Sequence, residues 1–321
     1  MKDVEVSVIL LCYNQRNTVG RAIDSVLAQN VNFPIEIVIG DDASSDGTRE
    51  VCERYALKYP DIIRLLPAAP NKGVVRNYFE ALSVCRGRFI ADCAGDDYWI
   101  GPDTLRHKYD MLSSDPSAVF VHTPWCENSR ETVVRPSVKE TEQDIMESIL
   151  AHENPMPVHL STVLYRAVAA RDALSGTPSV VCNPEFGCED MPLLCALLMR
   201  GHALYLDEPS LMYVRKEGSV SNAGVSVREA EFHLKTALAT KVLSRYYGVY
   251  SSRVRAAVAK KIGYAMACAV ACKDRAMRRQ ILSAVSSGKV PVTFRYRVLK
   301  IISATPWGWR LYGLLRSKNQ R

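Results

Sequence analysis

Ile35-Glu36-Ile37-Val38-Ile39-Gly40-Asp41-Asp42 and Arg88-Phe89-Ile90-Ala91-Asp92-Cys93-Ala94-Gly95-Asp96-Asp97 share one layout. Each is a short apolar, β-branched run that ends in two adjacent carboxylates. Such runs make buried parallel strands. Each acidic pair then sits at a strand's carboxyl end, where open α/β sheets bind ligands. Two neighbouring acids at such a mouth repel and lose solvation, so they need a cation or hydroxyl donors. A sugar nucleotide with a divalent metal supplies both. For one pair alone, the turn Asp41-Asp42-Ala43-Ser44-Ser45-Asp46-Gly47-Thr48 explains the acids as well. Two pairs in the same layout weigh against that simpler reading.

Working outward, residues 6–11 and 62–66 read as further strands. Helices are expected over 17–29 (Val19, Ile23, Val26 and Leu27 at helical spacing), 48–59 (entered through Asp46-Gly47, followed by Pro60) and 75–85. Alternating strands and helices predict a mostly parallel, Rossmann-like sheet covered on both faces. Beyond Pro102 the alternation weakens. Helices are expected over 104–113, 145–151 and 189–199, strands over 118–122, 162–165 and 203–206, and a loop or hairpin over 130–139. The chain then reads as mainly helical over 226–287, and a basic, aromatic segment occupies 294–316.

The 321 residues, 48% hydrophobic and 23% charged, suit about two globular domains. The ten cysteines lack metal-ligand spacing and read as buried free thiols in a reducing compartment. Cys268-x-x-x-Cys272 has no further Cys or His near it. The start does not read as a signal peptide, and the longest apolar stretch, 262–272, falls short of the roughly 20 residues a span needs. The net charge of +7 is unevenly placed. Residues 1–225 carry 21 Lys/Arg against 31 Asp/Glu, and residues 226–321 carry 20 against 3. That asymmetry places a boundary near 225, between a catalytic domain (1–225) and a basic, mainly helical C-terminal region (226–321).

Val6-Ser7-Val8-Ile9-Leu10-Leu11-Cys12-Tyr13-Asn14, the Asp41–Thr48 segment, Asn71-Lys72-Gly73 with Arg76-Asn77, Gly95-Asp96-Asp97-Tyr98-Trp99 with Pro102-Asp103, and Glu189-Asp190 followed by Tyr213-Val214-Arg215-Lys216-Glu217-Gly218-Ser219-Val220-Ser221 occur in that order. The ordered set resembles family 2 inverting glycosyltransferases of the bacterial surface-polysaccharide type. The resemblance implies a GT-A fold, a nucleotide-sugar donor with a UDP-sugar favoured over a thymidine one, and Mn²⁺ or Mg²⁺. It also assigns roles. Asp42 accepts from the pyrimidine imide, since an ionised carboxylate is acceptor-only, while Asp41 orients the turn. Cys12 and Tyr13 line the base pocket, and Arg76 approaches the base or diphosphate. Asp96 binds ribose hydroxyls or metal, and Asp97 binds the metal.

Asp190 is the implied base that deprotonates the acceptor hydroxyl, with Glu189 tuning or positioning it. His159 lies in a stretch that resembles the family's acceptor side, and Trp99, next to the acidic pair, is favoured over Trp125 to stack on a sugar ring. The bland alternatives stay open: Tyr13 as edge packing, Arg76 as a solvated helix arginine, Glu189-Asp190 as a helix cap, and His122 and His159 as hydrogen-bonded cleft or core groups. Two positions depart from the common pattern. Ala94 stands where many members have an acid, and Lys216 stands where a histidine is common. Lys216 is cast instead as a cation on the donor diphosphate.

The basic tail sets cations beside Trp307, Trp309 and Tyr312, which suits an anionic membrane surface. A helical bundle packed on the catalytic domain is the alternative. Together these features describe a cytoplasmic enzyme, peripheral at the inner face of the plasma membrane, that adds one sugar to a glycan or lipid-linked acceptor. No nucleic-acid-binding motif is present. A nucleotidyltransferase would want a Gly-rich loop after the first strand, and Cys12–Asn17 has no glycine. A catalytically silent binding module draws its support from Ala94 and Lys216.

Overall fold

A computed structural model describes residues 3–128, 132–136, 141–214, 225–288 and 290–305. The described chain divides into two compact units: residues 1–149, 153–184 and 188–215 form the first, and 150–152, 185–187 and 216–321 the second. In the first unit the order is β1 (Val6–Cys12), α1 (Val19–Leu27), β2 (Ile35–Asp41), α2 (Thr48–Lys58), β3 (Ile63–Leu65), α3 (Val74–Val84), β4 (Phe89–Ala94), β5 (Tyr98–Trp99), α4 (Thr104–Ser114), β6 (Ala118–His122), β7 (Trp125–Glu127), β8 (Thr132–Val134), α5 (Glu142–Leu150), β9 (Leu164–Arg166), α6 (Ala167–Gly176), α7 (Pro178–Val181), α8 (Asp190–Leu198), β10 (His202–Tyr205) and β11 (Leu211–Tyr213).

The main sheet runs β10-β6-β9-β4-β1-β2-β3, and a smaller one runs β5-β11-β7-β8. β1 pairs in parallel with β2 and β4, and β2 with β3. β9 enters antiparallel between β4 and β6. Alternation along the strands builds two faces. Val6, Val8, Leu10, Ile37, Ile39, Phe89, Ala91 and Cys93 pack with Ile23 and Val26 of α1, Val51 of α2 and Leu105 of α4. Asn77 and Tyr78 of α3 serve the other face, where the Asn77 amide donates to the Gly40 carbonyl at 2.8 Å.

One buried charge pins the amino-terminal end of this sheet. Glu36, 1% exposed, accepts from the Ser7 hydroxyl at 2.6 Å, the Arg86 backbone N–H at 2.7 Å and the Arg86 Nε at 2.9 Å. Burial alone would raise its pKa, but the bonds from Ser7 and Arg86 outweigh it and hold the carboxyl below its ordinary value. A depressed acid stabilises the fold above its unfolded pKa and loses that contribution as pH falls through the folded one. Glu36→Ala is therefore expected to cost about 2–3 kcal/mol at neutral pH, discounted because Arg86 is half-exposed. Thermal melts should show the gap to wild type closing below roughly pH 4.

The second unit is built on α9 (Val227–Tyr246), α10 (Ser252–Ala271), α11 (Arg275–Gly288) and α12 (Phe294–Ile302). Ser226, Ser251 and Thr293 cap α9, α10 and α12, each accepting a backbone N–H three residues on. Ala237, Val258, Ile262, Met266, Ile281, Tyr296 and Leu299 form its core. Among the described residues, no helix is long and apolar enough to cross a membrane.

Candidate active site

Leu11 of β1 pairs with Gly40 of β2 on one side and with Ala94 of β4 on the other. The chain therefore leaves these strands at one level and delivers Tyr13, Asp41-Asp42 and Asp96-Asp97 to the same edge. Gly95 makes this convergence possible. A Cβ there would lie 2.4 Å from the Gln15 Oε1 and 2.9 Å from the Cys12 Cβ. Tyr13 stands at this edge with 45% of its surface exposed. Cys12 does not join it. Its Sγ lies in the core, 3.9 Å from the Cys52 Sγ and 3.8 Å from an Asp41 carboxylate oxygen. The neighbouring thiol and burial push its pKa far up. Cys12 can offer a donor its backbone only, because strand alternation sends its side chain to the helix-covered face.

The acids of the first pair divide their work. Asp41 accepts from the Ser44 hydroxyl at 2.5 Å and from the Ser44 N–H at 3.4 Å, holding a turn in which Ala43 adopts φ +62°. Asp42 reaches the other way. Its Oδ1 accepts the Lys72 N–H at 2.8 Å, its Oδ2 the Gly73 N–H at 3.0 Å, and its carbonyl the Asn71 amide at 2.8 Å. Asp42 thus clamps the Asn71-Lys72-Gly73 turn, and each of its oxygens keeps a lone pair for a further donor. That turn opens α3, whose first turn carries Arg76, exposed and without an ion-pair partner among the described residues.

The second pair is also asymmetric. Asp96 is half-exposed and has no hydrogen-bond partner among the described residues. Asp97 is 2% exposed and accepts the Val214 N–H at 2.9 Å, which ties it to the end of β11. No group of three His, Cys, Asp or Glu side chains among the described residues encloses a metal. Two carboxylates still fit a Mg²⁺- or Mn²⁺-type ion, which takes few protein ligands and fills its shell with phosphate oxygens and water. Lys216 lies outside the described residues.

Trp99, expected as an acceptor contact, is placed differently. It is 5% exposed, and its indole N–H is shared between the Asp92 and Ser161 carbonyls at 3.2 and 3.3 Å. A ring so enclosed fastens strands rather than offering a face to a sugar, and a buried indole N–H must find such partners. His159 sits between Trp125 and Tyr213, with ring centroids 5.5 and 5.2 Å away. Its Nδ1 accepts the Ser161 N–H at 3.3 Å, and burial lowers its pKa to about 4. The ring is therefore neutral at pH 7, and the bond to Nδ1 assigns the proton to Nε2.

Glu189 and Asp190 open α8, whose residues Met191–Leu198 are all buried. Asp190 accepts the Met191 N–H at 2.6 Å, so it also holds the positive end of that helix. Burial, and then the neighbouring Asp190, push the enclosed Glu189 carboxyl up to about 8. Glu189 is uncharged at neutral pH, which removes a like charge from beside Asp190.

Sequence reading missed the polar cluster beneath these acids. Asp92 is buried in β4, and desolvation raises its carboxyl well above the ordinary range. Its Oδ2 makes no hydrogen bond among the described residues. The Tyr78 hydroxyl acts on the same carboxyl and lies 2.8 Å from the Tyr165 hydroxyl. Lys108 is fully enclosed, donates to the Thr162 carbonyl at 3.2 Å and lies 5.0 Å from the Trp99 ring centroid. Desolvation lowers its pKa to about 8. The available signal was a lone acid inside an apolar strand, on the same strand face as Ala94.

The sequence profile described as glycosyl transferase family 2 matches residues 7–169. A protein of uncharacterised function from Mycobacterium tuberculosis is 36% identical over 119 residues, covering 37% of this chain and 34% of that one. The Escherichia coli protein WfgD, named a UDP-Glc:α-D-GlcNAc-diphosphoundecaprenol β-1,3-glucosyltransferase, is 39% identical over 122 residues, covering 37% and 46%. The matched segments thus span between a third and a half of these relatives' lengths. Among solved structures, Staphylococcus aureus TarS 1–349, determined in complex with UDP-GlcNAc, superposes with a TM-score of 0.63 at 18% identity, covering 98% of this chain and 92% of that one. The fold is accordingly GT-A, and with the profile matching just over half its residues in the expected order, the chain belongs to glycosyl transferase family 2.

Proposed function

We propose that the chain is an inverting glycosyltransferase that moves one sugar from a UDP-sugar onto a glycan or lipid-linked glycan in surface-polysaccharide synthesis, working at the cytoplasmic face of the membrane. The observation that carries this reading is the convergence of an unpartnered Asp96, a fixed Asp97 and the turn-clamping Asp42 at one strand edge. UDP and UDP-GlcNAc occupy the similarly folded TarS, and the name of WfgD specifies a UDP-sugar and a lipid-diphosphate acceptor.

In this reading Asp42 and Tyr13 receive the uracil, and Arg76 adds charge near the diphosphate. Asp96 and Asp97 would hold a Mn²⁺ or Mg²⁺ ion. When bound, that ion would supply countercharge to the departing diphosphate. Asp190 takes the proton of the acceptor hydroxyl as its oxygen bonds to the anomeric carbon. The bond from that carbon to the diphosphate oxygen breaks on the opposite face, and its electron pair leaves with UDP. The neutral Glu189 places no like charge beside Asp190. His159 offers its Nε2–H to an acceptor hydroxyl.

Calorimetric titration of UDP with Mn²⁺ and with EDTA tests the donor half. Asp96→Ala is the informative variant, because the Asp96 side chain bonds nothing in the described fold. Metal-dependent binding, weakened at least ~10-fold in the variant, is the expected result. UDP affinity that ignores EDTA would remove the metal from this mechanism, and no UDP binding at all would sink the donor assignment.

A further inference from the structure

The helix α12 has two faces of opposite character. Tyr296 and Leu299 point into the helical unit and are each 3% exposed. Arg278 secures the helix end, with Nε 2.6 Å from the Ser303 hydroxyl and Nη2 3.1 Å from the Lys300 carbonyl. On the opposite side, Phe294, Val298 and Ile301 follow at i, i+4 and i+7, which is one helical stripe. Phe294 is 82% exposed and Ile301 72% exposed. Arg295, Arg297 and Lys300 are exposed beside them. From residue 275 onward the chain has eleven Lys/Arg and no Asp or Glu. A scattered exposed apolar residue needs no explanation. An apolar stripe flanked by cations on one capped helix is the arrangement of a helix lying in a membrane interface.

We propose that α12 docks on an anionic bilayer surface. Phe294 and Ile301 enter the boundary between headgroups and acyl chains, and Arg295, Arg297 and Lys300 meet lipid phosphates. Charge complementarity selects this occupant. A second copy laid on the stripe would bring six cations together with no acid from the same helices to offset them. A bilayer accepts the apolar side chains and the cations at once, at two depths. The proposal shares with the proposed function the idea of a lipid-linked acceptor, but its observations belong to the helical unit alone.

Co-sedimentation of the full chain with vesicles of phosphatidylcholine, with and without phosphatidylglycerol, tests it. Binding should require the anionic lipid and fall with salt. Phe294→Ser/Ile301→Ser should weaken it at least ~10-fold, and Arg295→Glu/Arg297→Glu/Lys300→Glu by more than ~50-fold. Both variants change exposed side chains and should keep the wild-type UDP titration and melting curve, so docking and donor binding can fail separately. Equal binding to neutral and anionic vesicles overturns the proposal. So does wild-type binding by both variants, which would transfer the anchor to residues 306–321. A lipid-free dimer abolished by Phe294→Ser/Ile301→Ser, or anionic-vesicle binding absent in the wild type, also overturns it.

Discussion

Asp190→Asn should leave UDP affinity unchanged and lower the rate of sugar transfer by roughly 10²–10⁴-fold, the range a positioned general base supplies. Asparagine preserves the geometry at the start of α8, because its carbonyl oxygen can still accept the Met191 N–H that Asp190 holds at 2.6 Å. The helix therefore stays capped, and what disappears is the capacity to take a proton. Measured kcat should fall while the donor KM holds. Equal loss in a folding assay would reassign Asp190 to helix capping. Glu189→Gln supplies the complement. The wild-type rate should bend near pH 8, where the enclosed Glu189 carboxyl ionises beside the base, and the glutamine variant should lack that bend. The same raised pKa makes the wild-type fold lose stability as pH climbs from roughly 4.5 towards 8, since the unfolded chain releases this proton first.

Asp42→Asn is the second large effect, and it acts through the backbone. Asp42 accepts two main-chain N–H groups, one on each oxygen, from Lys72 and Gly73. An asparagine can accept one of them and must turn its own amide N–H towards the other. One charge-assisted bond is lost and a donor faces a donor, about 2–4 kcal/mol in all. If the Asn71-Lys72-Gly73 turn frames the uracil, donor affinity should drop roughly 30- to 800-fold. Asp42→Ala should do no better, because it orphans both N–H groups. A UDP titration of Asp42→Asn within twofold of wild type would show that neither the clamp nor the imide contact matters to binding.

The doubly wound half was legible because its strands and helices carry clean periodicity and its turns carry Asp, Asn and Gly. β4 runs through Ala94 although Asp92 interrupts its apolar pattern, because the fold buries that acid. The smaller sheet was mostly invisible. β5 and β11 have two and three residues, too short for any period, and they exist because Trp99 pairs with Leu211 and Tyr98 with Met212 across distant sequence. α6 was missed because its alanine-rich face carries a weak apolar signal. At the site, sequence spacing brought the right loops together but not the direction of each side chain. Cys12 and Trp99 both sit at the motif ends, and both turn into the core. Lys108 could not be foreseen, since an isolated lysine on a helix normally reaches water.

Asp97 serves two neighbours at once. It stands beside the unpartnered Asp96 and also holds the Val214 N–H that follows Tyr213, whose ring packs against His159. Any ligand that pulls on this carboxylate therefore also bears on the strand end that packs against His159. Thermodynamic linkage makes the influence mutual. Initial-rate patterns with both substrates varied should show donor and acceptor changing each other's affinity by one common factor, and Asp97→Asn should bring that factor towards unity.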